Sequence, residues 1–292
     1  MIKSIFTLAL LLFVATFYGQ SAHLLEKEIN QIIANKKADV GVAILGIEDN
    51  FSLQINGSKQ YPLLSVFKFH LALAVLDKVD KGIFSLDQKN TVKERDLLEN
   101  TWSPFLKKYG KRDTQITMRE ALQWTISHSD NNICDVLIAK IGVINAINEF
   151  LNSPHLILKK NEKQMHKSWD AEFVNTTTPN YTAKLLKDFF ENKIISKQAT
   201  HFLYKTMVET SVGLNRIKGH LPANIEVAHR TGSSSTNAQG LTGAINDIGI
   251  VQLSNGKHVV VVLFVHNTTE EFAVGEQIIA AISKATYDTF AK

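Results

Sequence analysis

Ser65 and Lys68 stand three residues apart at the head of the apolar run LLSVFKFHLALAVLDKV, residues 63–79. On a helix, positions i and i+3 share a face, so the amine can reach the hydroxyl. A neutral amine could take the serine proton, and a charged one could lower the cost of the alkoxide, as for an activated nucleophile. Free N–H groups at the helix start favour negative charge on the serine oxygen. Two more polar clusters follow: Ser129-Asp130-Asn131 between two apolar stretches, and Arg230-Thr231-Gly232 running into Ser233-Ser234-Ser235. Each has a structural reading as well. The first can cap a helix at Asn132, while Gly232 can mark a bulge and Arg230 a solvated edge. In this order, behind a secretory signal, the three are strong together.

The elements that must position these residues fall into a simple pattern. Residues 23–35 read as an amphipathic helix, and residues 40–47 and 51–55 as a hairpin whose turn is Glu48-Asp49-Asn50. From Pro62 to about Met207 the periodicity is helical. Thr117-Met118-Arg119-Glu120 is a capping box opening a helix to Ile126, residues 132–141 form a helix closed by Gly142, and residues 181–191 form a third. Strand signals return at 225–231, 243–253 and 258–265, and residues 270–290 end the chain as a long helix. The simplest closure is an α+β sandwich, with one antiparallel sheet built from both chain ends and flanked by the first and last helices. Residues 21–61 and 209–292 would form this α/β lobe. Residues 62–208 would form an all-helical lobe, with a ligand cleft between the two.

Composition narrows the class. The chain has 292 residues, 45% hydrophobic and 21% charged, with a net charge of +4, as in an ordinary soluble protein. Its scattered lysines give no nucleic-acid footprint, although a basic surface attracts small anions. Lys3, the apolar run 5–17 and the small and polar residues 18–22 read as a secretory signal peptide over residues 1–20, too short for a membrane span. The expected product is a secreted or periplasmic monomer, free of the membrane after cleavage. Cys134 is the one cysteine, so no intramolecular disulfide is possible, and its apolar run makes it core filler. The ten histidines show no H-E-x-x-H spacing, so no metal or other cofactor is expected. His70 reads as a packed core histidine.

With these three motifs the chain resembles the class A serine β-lactamases, over nearly all of its length beyond the signal. Its departures resemble the divergent, cephalosporinase-like and extended-spectrum branch. The resemblance implies a small-molecule β-lactam substrate and acylation of Ser65 beside Lys68. Ser129 would relay a proton to the departing ring nitrogen, and Asn131 would bind the substrate amide. Arg230 and Thr231 would hold the substrate carboxylate, and the N–H groups of Ser65 and Ser233 would form the oxyanion hole. Glu162 falls where the family's Ω-loop glutamate should be, in a loop over about residues 157–175, and would activate the deacylating water.

Several positions depart from the usual pattern. Arg230 stands for a lysine and keeps its charge. Lys163 replaces a proline, which puts the customary cis peptide in question. His166 stands for an asparagine and Asp135 for another beneath the loop, while Lys160 and Asn175 replace the arginine–aspartate pair that closes it. Trp102 takes the place of the aromatic gatekeeper, and Arg216 that of an extra cation near the carboxylate. A penicillin-binding D,D-peptidase shares the three motifs but lacks the Glu162 base. A non-enzymatic β-lactam sensor domain would acylate and stay acylated.

Overall fold

The computed structural model describes residues 21–49 and 51–291; the expected signal peptide and Asn50 of the expected turn lie outside them. Helix α1 covers residues 21–33. Strands β1 (Asp39–Gly46), β2 (Ser52–Ile55) and β3 (Tyr61–Pro62) follow, and a 3-10 turn (Leu64–Val66) leads into α2 (Phe67–Asp80). Next come β4 (Lys89–Val92), α3 (Pro104–Tyr109), β5 (Thr114–Thr117), α4 (Met118–Ile126), α5 (Asn131–Ile141) and α6 (Asn145–Leu151). Strand β6 (Leu156–Ile157), α7 (Glu162–Met165), β7 (Thr176–Thr177), α8 (Pro179–Phe190) and α9 (Lys197–Val208) complete the middle. The chain ends with β8 (Val227–Ser233), β9 (Thr242–Gln252), β10 (His258–Thr268) and α10 (Phe272–Phe290).

Both chain ends meet in one antiparallel sheet of order β2-β1-β10-β9-β8. The valine-rich β10 is central, and its two faces enter different cores, because successive side chains point to opposite faces. Val259, Val261, Leu263 and Val265 pack with Leu25 and Ile29 of α1 and with Ile278, Ile279 and Ile282 of α10. Val260, Val262 and Phe264 join the other core, built around α2. Every residue of α2 from Phe67 to Leu76 is buried, Lys68 and His70 included. Helices α4, α5, α6 and α9 surround it, so its apolar residues run all round.

The region expected to be all-helical also carries two small sheets, the β4–β5 pair and the three-stranded β3-β7-β6. Their strands have two to four residues, too few for a period-two signal. Strand β6 pairs with β7, so residues 158–175 leave and return through adjacent strands.

Edge strand β8 meets the turn at Leu64–Val66. Asn246 of β9, buried, donates from Nδ2 to the carbonyls of Pro62 at 2.7 Å and Leu63 at 3.3 Å. Leu64 is held at φ 47°, in the left-handed region, a strain of about 1–3 kcal/mol for such a residue. The sheet thus sets the turn that carries Ser65.

His70 is fully buried, and burial pushes its imidazole down to about pKa 4. Its folded value lies below the unfolded one, so its contribution is intact above about pH 6.5 and is lost as pH falls towards 4. Replacing it with leucine should leave the stability difference between variant and parent flat above pH 7. Below that, the difference should move towards the variant by on the order of 3 kcal/mol by pH 4, measured by denaturant melts across the series.

Candidate active site

The site is built around a buried ammonium. Lys68 Nζ, with no solvent exposure, lies 3.1 Å from Ser65 Oγ, 2.9 Å from Ser129 O and 3.4 Å from Ser129 Oγ. It also lies 2.5 Å from Asn131 Oδ1 and 2.8 Å from Glu162 Oε1. An ammonium has three hydrogens, so these oxygens compete for them, and a proton can be redistributed with little motion. Three chain segments meet there: the turn carrying Ser65, the Ser129–Asn131 corner and the loop helix α7.

Each segment has a local reason for its shape. Ser129 sits at φ 58°, while its carbonyl and hydroxyl both meet Lys68. Asp130 caps α5, accepting from Ile133 N at 2.9 Å, and it also accepts from Phe105 N and Ser103 Oγ. Burial raises its pKa, and those bonds oppose the rise. Within this tripeptide Asp130 does the capping, while Ser129 and Asn131 turn to Lys68. Helix α7 opens with Asn161 and Gln164 in a reciprocal capping box, which places Glu162 at its first position. The amides of Glu162 and Lys163 donate to the two oxygens of Asp135 at 2.8 and 2.9 Å. Burial pushes the Asp135 carboxyl up to about 6 against those two bonds. The Glu162–Lys163 peptide is trans.

Asn175 closes the loop single-handed. Its Oδ1 accepts from the amides of Lys159 and Lys160 at 2.8 and 3.0 Å, and its Nδ2 donates to Lys160 O at 2.7 Å. One buried amide thereby spans the neck of the loop. His166 donates from Nδ1 to Glu162 O at 2.8 Å, which leaves Nε2 to accept from Thr101 Oγ1 at 3.3 Å. Thr101 accepts in turn from Asn131 Nδ2 at 2.9 Å. Trp102 beside it is 57% exposed, with its indole N–H on His128 O.

The opposite wall comes from β8. Gly232 lies against the nucleophile's backbone: an added Cβ would stand 2.5 Å from Leu63 O and 3.1 Å from Ser65 N. Ser234 N–H donates into the sheet at 3.0 Å to Ala244 O, so by strand alternation the Ser233 N–H faces the free edge. The two expected oxyanion donors are therefore brought side by side. Thr231, Ser233, Arg216, Ser65, Ser129, Asn131, Glu162, His166 and Trp102 all line one cavity of about 670 Å3.

Two arginines behave differently from a simple carboxylate clamp. Arg230 is fully buried and does not line the cavity; its Nη2 donates to Ser129 Oγ at 2.7 Å. Burial pushes its pKa down to about 10, and Nε and Nη1 have no hydrogen-bond partner among the described residues. Arg216 does line the cavity, but Glu276, Gly232 O, Asn246 O and Ser233 Oγ already accept from it. Sequence reading missed Glu276, Asn246 and Asp247. Asp247 pairs with buried His229 at 2.9 Å and accepts from Ile217 N, next to Arg216. Cys134 is buried, with its thiol pKa raised well up by burial.

A cavity-facing serine beside a buried lysine–glutamate pair, with the β8 edge against its backbone and a polar wall opposite, is the arrangement of an acyl-transferring serine hydrolase. The sequence model described as the Beta-lactamase enzyme family matches residues 24–290. Beta-lactamase VEB-1 of Pseudomonas aeruginosa is 38% identical over 99% of this chain and 98% of its own. The crystal structure of TLA-3 extended-spectrum beta-lactamase superposes with a TM-score of 0.91, at 46% identity over 93% of this chain and 100% of that one. A class A beta-lactamase from Bacteroides cellulosilyticus DSM 14838 gives a TM-score of 0.89, at 41% identity over 93% and 98%. The chain belongs to the β-lactamase enzyme family. It is a class A serine enzyme that hydrolyses the β-lactam ring, an activity that confers antibiotic resistance.

Gly232 generates a direct test. Gly232→Ala should drive the β8 edge away from Ser65 and separate the two amides. The expected outcome is a fall in kcat of on the order of 10²–10³-fold with an unchanged circular dichroism spectrum, measured by steady-state kinetics on a chromogenic cephalosporin.

Proposed function

We propose that Ser65 attacks the β-lactam carbonyl, that its proton passes to the Lys68–Glu162 pair, and that Glu162 later activates the hydrolytic water. The observation that carries this reading is the simultaneous approach of Lys68 Nζ to Ser65 Oγ at 3.1 Å and to Glu162 Oε1 at 2.8 Å. A nucleophile, a proton carrier and a base then form one line, as serine acyl transfer followed by hydrolysis needs. The amides of Ser65 and Ser233 stabilise the tetrahedral oxyanion. Ser129 Oγ accepts from the Arg230 guanidinium and from Lys68, which leaves its own hydrogen to protonate the departing ring nitrogen.

The substrate carboxylate lies by the Thr231 and Ser233 hydroxyls, with Arg216 and the field of Arg230 behind it. Asn131 holds the acylamino group, Trp102 covers the mouth, and His166 braces the Glu162 turn. Penicillins and cephalosporins are the substrates, and the extended spectrum named for TLA-3 is our reading for this chain too. The division into an α/β lobe and a helical lobe belongs to the same reading. So does export behind residues 1–20, followed by action as a monomer in the secreted or periplasmic space. Among the described residues no helix is long and apolar enough to cross a membrane.

Glu162→Gln keeps the size and removes the base. Turnover should fall by roughly 10²–10⁴-fold, and intact-protein mass spectrometry should show a penicillin adduct persisting on Ser65. Normal turnover without an adduct would move the water-activating role elsewhere.

Arg216→Ala should raise KM more than it lowers kcat, since carboxylate binding is felt equally in the ground and transition states. It should also cost stability, because Glu276 loses its ion pair. Unchanged KM for several β-lactams would place Arg216 in a purely structural role.

A further inference from the structure

Glu172 lines the cleft, is only partly exposed, and makes no hydrogen bond or ion pair among the described residues. It lies in the 3-10 turn Trp169–Phe173, on the same wall as Glu162, Met165 and His166. The turn is fixed by its neighbours rather than by this carboxylate. Ala171 is buried, Trp169 and Phe173 pack edge to face at 5.0 Å, and the Phe173 ring presses onto Gly243 of β9, 2.2 Å from where a Cβ would stand. Glu172 is therefore held at the rim with its charge unspent. Partial burial, the first cause, raises its pKa, as does the charge of Glu162, and His166 opposes the rise.

A carboxylate partly removed from water and without a donor carries a desolvation cost that a bound cation or amine offsets. The cavity gives that cation a direction. Arg216, Thr231 and Ser233 line it with Glu172, and they are among the groups assigned to the substrate carboxylate. Asn131 lines the same cavity as Met165, His166 and Glu172, so a substituent on an acylamino group held at Asn131 can extend to that wall. We propose that Glu172 is a specificity-determining residue that favours β-lactams whose acylamino side chain carries an amine and disfavours those whose side chain carries a carboxylate. This rests on the placement of the acylamino group at Asn131 described above.

Three penicillins that differ only at the side-chain α-carbon provide the test: benzylpenicillin (no charge), ampicillin (an amine) and carbenicillin (a carboxylate). Their kcat/KM values are measured on the parent protein and on Glu172→Gln, which keeps shape and removes charge. The expected change is a roughly three- to fivefold loss for ampicillin, mostly in KM, and a gain of similar size for carbenicillin. Benzylpenicillin should stay within about twofold, and the ampicillin effect should shrink at high salt. An equal change for all three, or none for any, overturns the proposal and leaves the hydrolase reading standing. Absence of turnover of all three by the parent overturns both.

Discussion

The burial of one ammonium sets the terms for this molecule. Lys68 has no solvent exposure, and a charge out of water is tolerated only when paired and hydrogen-bonded. The oxygens that meet this need come from residues 65, 129, 131 and 162, which lie on a 3-10 turn, an interhelical corner and a loop helix. Folding cannot satisfy Lys68 without bringing the reacting groups together. The contacts that satisfy this buried charge are the ones the proposed mechanism uses.

Around that ammonium several other charges are buried. Glu162 answers Lys68, Asp135 carries the amides that orient Glu162, and Arg230 lies behind Ser129. Arg216 and Glu276 form a second pair on the carboxylate side. Lys68 and Arg216 are each countered by a carboxylate from a different element, so loss of one partner leaves the other exposed to the full cost of desolvation. Departures from the family pattern fit this scheme. Asn175 holds the loop neck with neutral hydrogen bonds to the backbone of Lys159 and Lys160, where a carboxylate would add one more charge to an already crowded region.

Much of this could be read from sequence because it was local. The Thr117–Glu120 box, the Gly142 stop and the terminal helix depend on neighbours within four residues. The valine-rich strand showed itself as a short, continuous run of β-branched residues. Ser65, Lys68 and Ser129–Asn131 were found because their types and spacing are chemically unusual in apolar surroundings. Asn246, Glu276, Asp247 and Glu172 left no such mark: their partners, or their lack of them, are decided by segments dozens to hundreds of residues away. The buried position of Arg230 was also invisible, since an arginine before Thr-Gly reads equally well as a cation facing the cleft.

Strand β1 pairs with β10, with Asp39 opposite His266, while the serine's turn is clamped by Asn246 and abutted by Gly232. Ribosomes deliver residues 232 and 246 long after residue 65, and the sheet that fixes them closes a loop of most of the chain's length. Contacts so distant in sequence form late. A nascent or truncated chain ending before β9 can hold its helices but lacks Asn246 and the sheet that seats β8 against the Ser65 turn. Hydrolytic competence therefore arrives in one step, with the last strands, and partial chains are silent rather than weakly active.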